Sequence, residues 1–164
     1  MIPAEELREL FRYDPVTGVI YWKVKRKGGK AQCGGVAGYV SSRGYIKIVN
    51  HGKSMLAHRV AFAIYHGRWP EGEIDHVNGV KNDNRICNLR EATRKQNNAN
   101  KGPLKNNLTG YKGVHYMKAR NKFVARISIG RRRVFIGAFD SAIEANEAYS
   151  RAAKEIHGEF AWEA

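Results

Sequence analysis

Glycine stands at 17 of 164 positions and cuts the chain into short runs. Each run has room for one strand or for a helix of a few turns. The apolar pattern inside the runs alternates between strand-like and helical periods, which predicts an α+β chain of small modules. Residues 1–56 read as a small β-rich module. It opens with an amphipathic helix over Ala4 to Phe11. A turn follows at Tyr13-Asp14-Pro15-Val16-Thr17-Gly18, where Pro presets φ and Gly accepts a positive φ. Val19 to Trp22, Val36 to Val40 and Tyr45 to Val49 read as strands, and Asn50-His51-Gly52 as a hairpin turn.

Residues 57–101 have another character. His58 to Tyr65 is helical and stops near Gly67 and Pro70. A strand then carries Asp75-His76. A polar loop covers Asn78 to Arg85, a second short strand lies around Asn88 to Glu91, and a helix opens near Thr93, a good N-cap. Residues 102–110 form a polar linker with Gly and Pro punctuation.

Residues 111–164 read as a third module, three strands on one helix. From Lys122 to Ile129 the residues alternate. Phe123, Ala125, Ile127 and Ile129 face one way, and Lys122, Val124, Arg126 and Ser128 the other. Gly130-Arg131 is a turn and Arg133 to Phe139 a further strand. Ser141 and Glu144 form a capping box for a helix whose stripe is Ala145, Ala148, Tyr149, Ala152 and Ile156, with Gly158 ending it.

The net charge of +14 draws the surface to polyanions, nucleic acid first and an anionic membrane second. The basic residues run along the whole chain, as a wide footprint requires. Lys23, Lys25, Arg26, Lys27 and Lys30 make either phosphate contacts or a solvated loop. The longest apolar run, Val60 to Tyr65, is far too short to span a bilayer. The N-terminus lacks the form of a secretion signal, so a cytoplasmic protein with no membrane partner is expected. Two cysteines, Cys33 and Cys87, exclude a disulfide framework or a four-cysteine zinc site. Neither an obligate protein partner nor a dimer stripe is evident.

The residues from Asp75 to Asn97 carry chemistry. Phosphodiester cleavage needs an activated water, charge neutralisation on the phosphate and help for the departing 3′ oxygen. A histidine with an ordinary pKa of about 6.5 takes a proton from water near neutral pH. Asp75 and the amide oxygen of Asn97 are hard donors that suit magnesium or manganese better than zinc. Gln96-Asn97-Asn98-Ala99-Asn100 is poor helix material, and a local preference set against the fold marks a functional position.

Asp75-His76, Asn88-Leu89-Arg90 and Asn97 resemble, in order and spacing, the three landmarks of the HNH nucleases and their ββα-metal fold. The likeness is to phage and intron-encoded homing endonucleases, and it reaches upstream to Ala57-His58-Arg59-Val60-Ala61. It implies that His76 is the general base, that Asp75 and Asn97 bind Mg²⁺ or Mn²⁺, and that Asn88 holds the loop that aims His76. It also implies 5′-phosphate and 3′-hydroxyl products. No structural zinc is expected, because paired Cys-x-x-Cys motifs are absent.

Tyr111-Lys112-Gly113-Val114, Phe123 to Ile127, Val134 to Phe139 and the helix from Glu144 are similar to the ethylene-response-factor (Apetala-type) DNA-binding domain. That family lays its sheet in the major groove. Carried over by position, Lys112, His115, Arg126, Ser128, Arg133 and Phe135 would face double-stranded DNA. Lys122 lies on the same face by alternation. Arg120, Arg131 and Arg132 would touch phosphate. Phe135 stands where that family has Trp and His115 where it has Arg, so its target sequence is not carried over. The chain therefore reads as a site-directed DNA endonuclease. The alternatives are a DNA-binding regulator with an inactive nuclease core and an RNA-binding protein.

Overall fold

The computed structural model describes residues 2–25, 32–130 and 132–162. It is α+β, as the changes of period predict, and it divides into two compact units, Met1–Thr93 and Arg94–Ala164. No helix among the described residues is long and apolar enough to cross a membrane.

The first unit begins with α1 (Ala4–Leu10). The strand β1 (Phe11–Tyr13) pairs antiparallel with β2 (Ile20–Trp22). Phe11 starts this strand rather than extending the helix, and its backbone N–H caps α1 by donating to the Leu7 carbonyl. The Asp14 carboxylate shapes the turn by accepting from the N–H groups of Val16 and Thr17, at 3.0 and 3.2 Å.

A second sheet takes the order β3 (Tyr39–Val40), β4 (Ile46–Asn50) and β5 (Lys53–Leu56), all antiparallel. The expected strand from Val36 shrinks to β3. Gly38 has φ +101° and lies against the Lys47 carbonyl and the Ile46 side chain, which breaks the extended run. Val36 instead makes an isolated bridge to Tyr21. His51 and Gly52, both at positive φ, close the hairpin between β4 and β5.

Helix α2 (Ala57–His66) ends on Gly67 in the left-handed conformation. It leads to β6 (Glu73–His76) and β7 (Leu89–Ala92), an antiparallel pair. One core joins Leu7, Phe11, Ile20, Trp22 and Ile48 with Val60, Ala61 and Phe62 of α2 and with Ile74 and Leu89. Residues on both sides of position 56 thus share one interior.

In the second unit, α3 (Arg94–Ala99) is followed by a segment without helix or strand up to β8 (Val114–Met117). Asn107 organises that segment, donating to the Tyr111 carbonyl and accepting from Thr109. Strands β9 (Lys122–Ile129) and β10 (Arg132–Phe139) complete a sheet of order β10-β9-β8. Helix α4 (Ala142–His157) covers one face, and the Ser141 hydroxyl accepts from the Glu144 N–H as the capping box requires.

The core is Val114, Ala125, Ile127, Ala145, Tyr149, Ala153 and Ala161. The buried stripe of α4 runs through Ala153 rather than Ala152 and Ile156, and Ile156 is exposed. Tyr149 sets this rotation, because its ring fills the space that Gly113 leaves open and the next turn on that line is Ala153. Ile129 and Val124 also depart from simple alternation. Ile129 is exposed near the end of β9, and Val124 is buried on the face away from α4.

Gly113 has φ +73°, and a Cβ there would come 2.2 Å from the Tyr149 ring. Gly113→Ala is expected to lower the urea midpoint of the second unit, followed by circular dichroism, by the equivalent of about 3 kcal/mol. Ser141→Ala should cost about 1 kcal/mol in the same measurement.

Candidate functional site

The β6–β7 pair places Asp75 opposite Arg90 and His76 opposite Leu89. Several polar side chains of the loop between the strands hold it in shape. Asn88 accepts from the Asn78 N–H at 2.9 Å and donates to the Asp83 carbonyl at 2.8 Å. Asn78 donates from its side chain to Asp83 at 2.7 Å and accepts from the Val80 N–H at 2.9 Å. Arg85 clamps Asp83 through two nitrogens, and this pairing holds the carboxyl well below the usual carboxylate range. Two backbone bonds, Gly79 N–H to His76 carbonyl and Val77 N–H to Asn88 carbonyl, tie the loop to the strand ends.

His76 is buried inside this frame. Its Nε2 lies 3.2 Å from the Asn84 side-chain oxygen. The His58 ring meets it edge-on with centroids 5.0 Å apart, and the Tyr45 ring is 6.1 Å away. Lys81 sits 5.1 Å from the Tyr45 ring and donates to the Arg43 carbonyl. Burial pushes the His76 pKa down from its ordinary value, against the opposing pull of Asn84 and Asp75. A neutral imidazole at neutral pH is the state a proton acceptor needs. Burial pushes His58 down further, to about 3, with the His76 and Arg59 charges adding to the effect.

Asp75 is also buried, and the Arg90 Nε and Nη2 both approach its Oδ2, at 2.9 and 2.8 Å. The guanidinium sets a positive charge against the buried carboxylate. Asp75, His76 and Asn88 therefore lie together in the first unit. Asn97 is half-buried on α3, which belongs to the second unit. Among the described residues no group of three or more His, Cys, Asp or Glu side chains is arranged to hold a metal ion. A divalent ion at Asp75 would draw further ligands from an amide oxygen, water and phosphate, a hard set that magnesium and manganese take.

In the second unit the strand register brings one set of expected residues together. On the face away from α4, His115 pairs with Val124, Arg126 with Phe135, and Ser128 with Arg133. His115, Ser128, Arg133 and Phe135 are exposed and Arg126 is half-buried. Arg120 is exposed in the β8–β9 turn, and Arg132 at the start of β10. Lys122 is paired with Asp140. Lys112 departs from the sheet face. Its ammonium donates to the Ala99 carbonyl, and burial together with Lys101 lowers its pKa to about 8. Arg131 lies outside the described residues, as do Arg26, Lys27 and Lys30.

Sequence reasoning missed Asn84, His58 and Tyr45 as neighbours of His76. Asn84 sat unremarked in the polar Asn82-Asp83-Asn84 run, and its burial, at 1 % exposure, has no sequence signature. His58 carried one usable signal, a histidine on the apolar face of a helix.

Residues 55–99 match the family model for HNH endonucleases. No curated protein and no solved structure matches the chain.

Asn88→Ala removes both clamps on the loop and is expected to cost about 2–3 kcal/mol. Hydrogen exchange should show it as faster exchange at the Asn78 and Val80 amides. The low pKa of His58 has a pH signature. Between about 3 and about 6.5 the unfolded chain binds more protons than the folded one. Stability therefore rises with pH across that window, by up to about 1.4 kcal/mol per unit, and this contribution is complete above it. Chemical denaturation from pH 4 to 7 should show the slope, and His58→Gln should flatten it.

Proposed function

We propose that this chain is a metal-dependent, site-directed DNA endonuclease of the homing type found in phages. One observation carries the reading. A buried histidine, whose burial favours the neutral ring, stands next to an arginine-anchored aspartate on a strand pair whose loop Asn88 closes. This arrangement falls within the segment that matches HNH endonucleases.

His76 accepts a proton from a water molecule, and the resulting hydroxide attacks phosphorus. The bond from phosphorus to the 3′ oxygen breaks and that oxygen takes a proton from solvent, leaving a 5′-phosphate and a 3′-hydroxyl. Asp75 would supply a ligand to Mg²⁺ or Mn²⁺, whose part would be to neutralise phosphate charge and assist the leaving oxygen. Arg90 pairs with the Asp75 carboxylate in its buried position. Asn88 keeps the loop closed so that the imidazole holds one orientation.

Residues 57–101 supply the cut, and residues 111–164, joined through the linker 102–110, supply the choice of DNA. His115, Arg126, Ser128, Arg133 and Phe135 share one exposed sheet face, and a sheet of this size enters the major groove. Arg120, Arg131 and Arg132 contact phosphate and fix register. The +14 charge favours a wide backbone footprint. The absence of a recognisable dimer stripe favours a monomer that nicks one strand at each visit.

A plasmid nicking assay with cognate DNA tests this reading. The wild type should nick with Mg²⁺ and stop when a chelator is added. His76→Ala should lower the rate about 10²–10⁴-fold with DNA affinity unchanged. Arg126→Ala should weaken binding by about 1–3 kcal/mol and relax sequence choice. Wild-type protein that binds DNA and never cuts it would leave a DNA-binding regulator in place of the nuclease.

A further inference from the structure

The N-terminal hairpin is built onto the same short segment that supplies the partner of His76. Tyr13 donates its phenolic O–H to the Asn84 backbone carbonyl at 2.7 Å. The Ile86 N–H donates to the Pro15 carbonyl at 3.1 Å. Gly18, at φ +75°, lies flat on the chain at residues 84 and 85. A Cβ there would come 2.5 Å from the Arg85 nitrogen and 2.6 Å from the Asn84 carbonyl carbon. The turn between β1 and β2 therefore grips Asn84 and its neighbours at three points over a sequence separation of about seventy residues.

The held residue is unusual in its own right. Asn84 is among the largest fully buried side chains of the protein. Its side-chain oxygen meets His76, and its Nδ2 has no hydrogen-bond partner among the described residues. An unsatisfied buried amide destabilises a fold, and a leucine of similar size would avoid that cost. The polar group is placed where it works against stability and with the histidine. An amide oxygen can only accept, so its approach to Nε2 selects the imidazole tautomer with the proton on Nε2. The lone pair then sits on Nδ1.

We propose that Asn84 is a positioning residue for His76, fixing its tautomer and ring orientation, and that the β1–β2 hairpin holds Asn84 in register for that task. This rests on the reading of His76 as the general base. The first residues of the chain thereby acquire a role in the cutting reaction without touching DNA or the reacting atoms. Asn84 and Asn88 divide the work on the same loop. Asn88 fixes the backbone after His76, and Asn84 fixes the ring.

Two measurements on the full chain decide the proposal. The first is the ¹⁵N chemical shifts of the His76 ring in the wild type, which report the tautomer without reference to activity. The Nε2–H form is expected, and a dominant Nδ1–H form overturns the assignment. The second is steady-state nicking of a cognate plasmid with Mg²⁺. Asn84→Leu should lower kcat about 10–100-fold with KM nearly unchanged, the scale on which an orienting partner of an active histidine acts. Asn84→Asp, which keeps an acceptor facing Nε2, should retain most of the kcat. A leucine variant with wild-type kcat, or an aspartate variant as impaired as the leucine one, overturns the proposal. Tyr13→Phe leaves the ring in place and removes the one hydrogen bond that the hairpin makes to Asn84 itself. It should lower kcat alone, and a wild-type kcat there overturns the role given to the hairpin, even if the leucine variant fails to fold. If the wild type does not cut, the base reading fails and takes the catalytic role of Asn84 with it, while the ring shifts still decide the hydrogen bond.

Discussion

Asn88 uses both ends of its amide on the loop that follows His76, and the candidate site depends on that closure. The loop is polar and lies between two strands of four residues each, too short to impose a loop conformation by pairing alone. The closure supplies what the strands lack. With Asn88 bonded to Asn78 and to the Asp83 carbonyl, Asp83 reaches Asn78 and Arg85, and these residues bind one another in a closed set. A network of this kind is rigid when complete and costly when broken. The chain thereby gains a fixed platform for Asp75 and His76 from little hydrophobic surface.

That platform rests on a core shared across the first unit. Leu7 and Phe11 of the N-terminal elements pack with Val60 and Phe62 of α2 and with Ile74 and Leu89 beneath the site. The N-terminal hairpin is continuous with the site in packing and, through Tyr13, in hydrogen bonding. The second unit repeats the economy on a smaller scale. Alanines on α4 allow close approach to the sheet, and Tyr149 locks into the space over Gly113. The opposite sheet face is left for basic and aromatic side chains.

Much of this was legible in the sequence, for physical reasons that differ by element. The strand at Asp75-His76, the helix over Ala57–His66 and the capped helix at Ser141 announce themselves through periodicity and local chemistry, which act over a few residues. The family resemblance drew attention to Asn88, whose side chain bonds the Asn78 N–H and the Asp83 carbonyl. Other features were not legible. The break at Gly38 comes from the approach of the Lys47 carbonyl, a contact between strands. The displacement of Lys112 from the sheet face comes from the Ala99 carbonyl, thirteen residues away. The place of Asn84 arises from Tyr13 and Gly18, and no local pattern encodes a contact over that distance.

The proposed reaction breaks the bond from phosphorus to the 3′ oxygen. Water attack with departure of the 3′ oxygen leaves ends that can be rejoined without repair, whereas loss of the 5′ oxygen leaves a 3′-phosphate. The most direct measurement is therefore the state of the ends at each nick made by the wild type in Mg²⁺. DNA ligase should reseal every nick with no prior treatment. Nicks that resist ligase until a 3′-phosphate is removed would contradict the account.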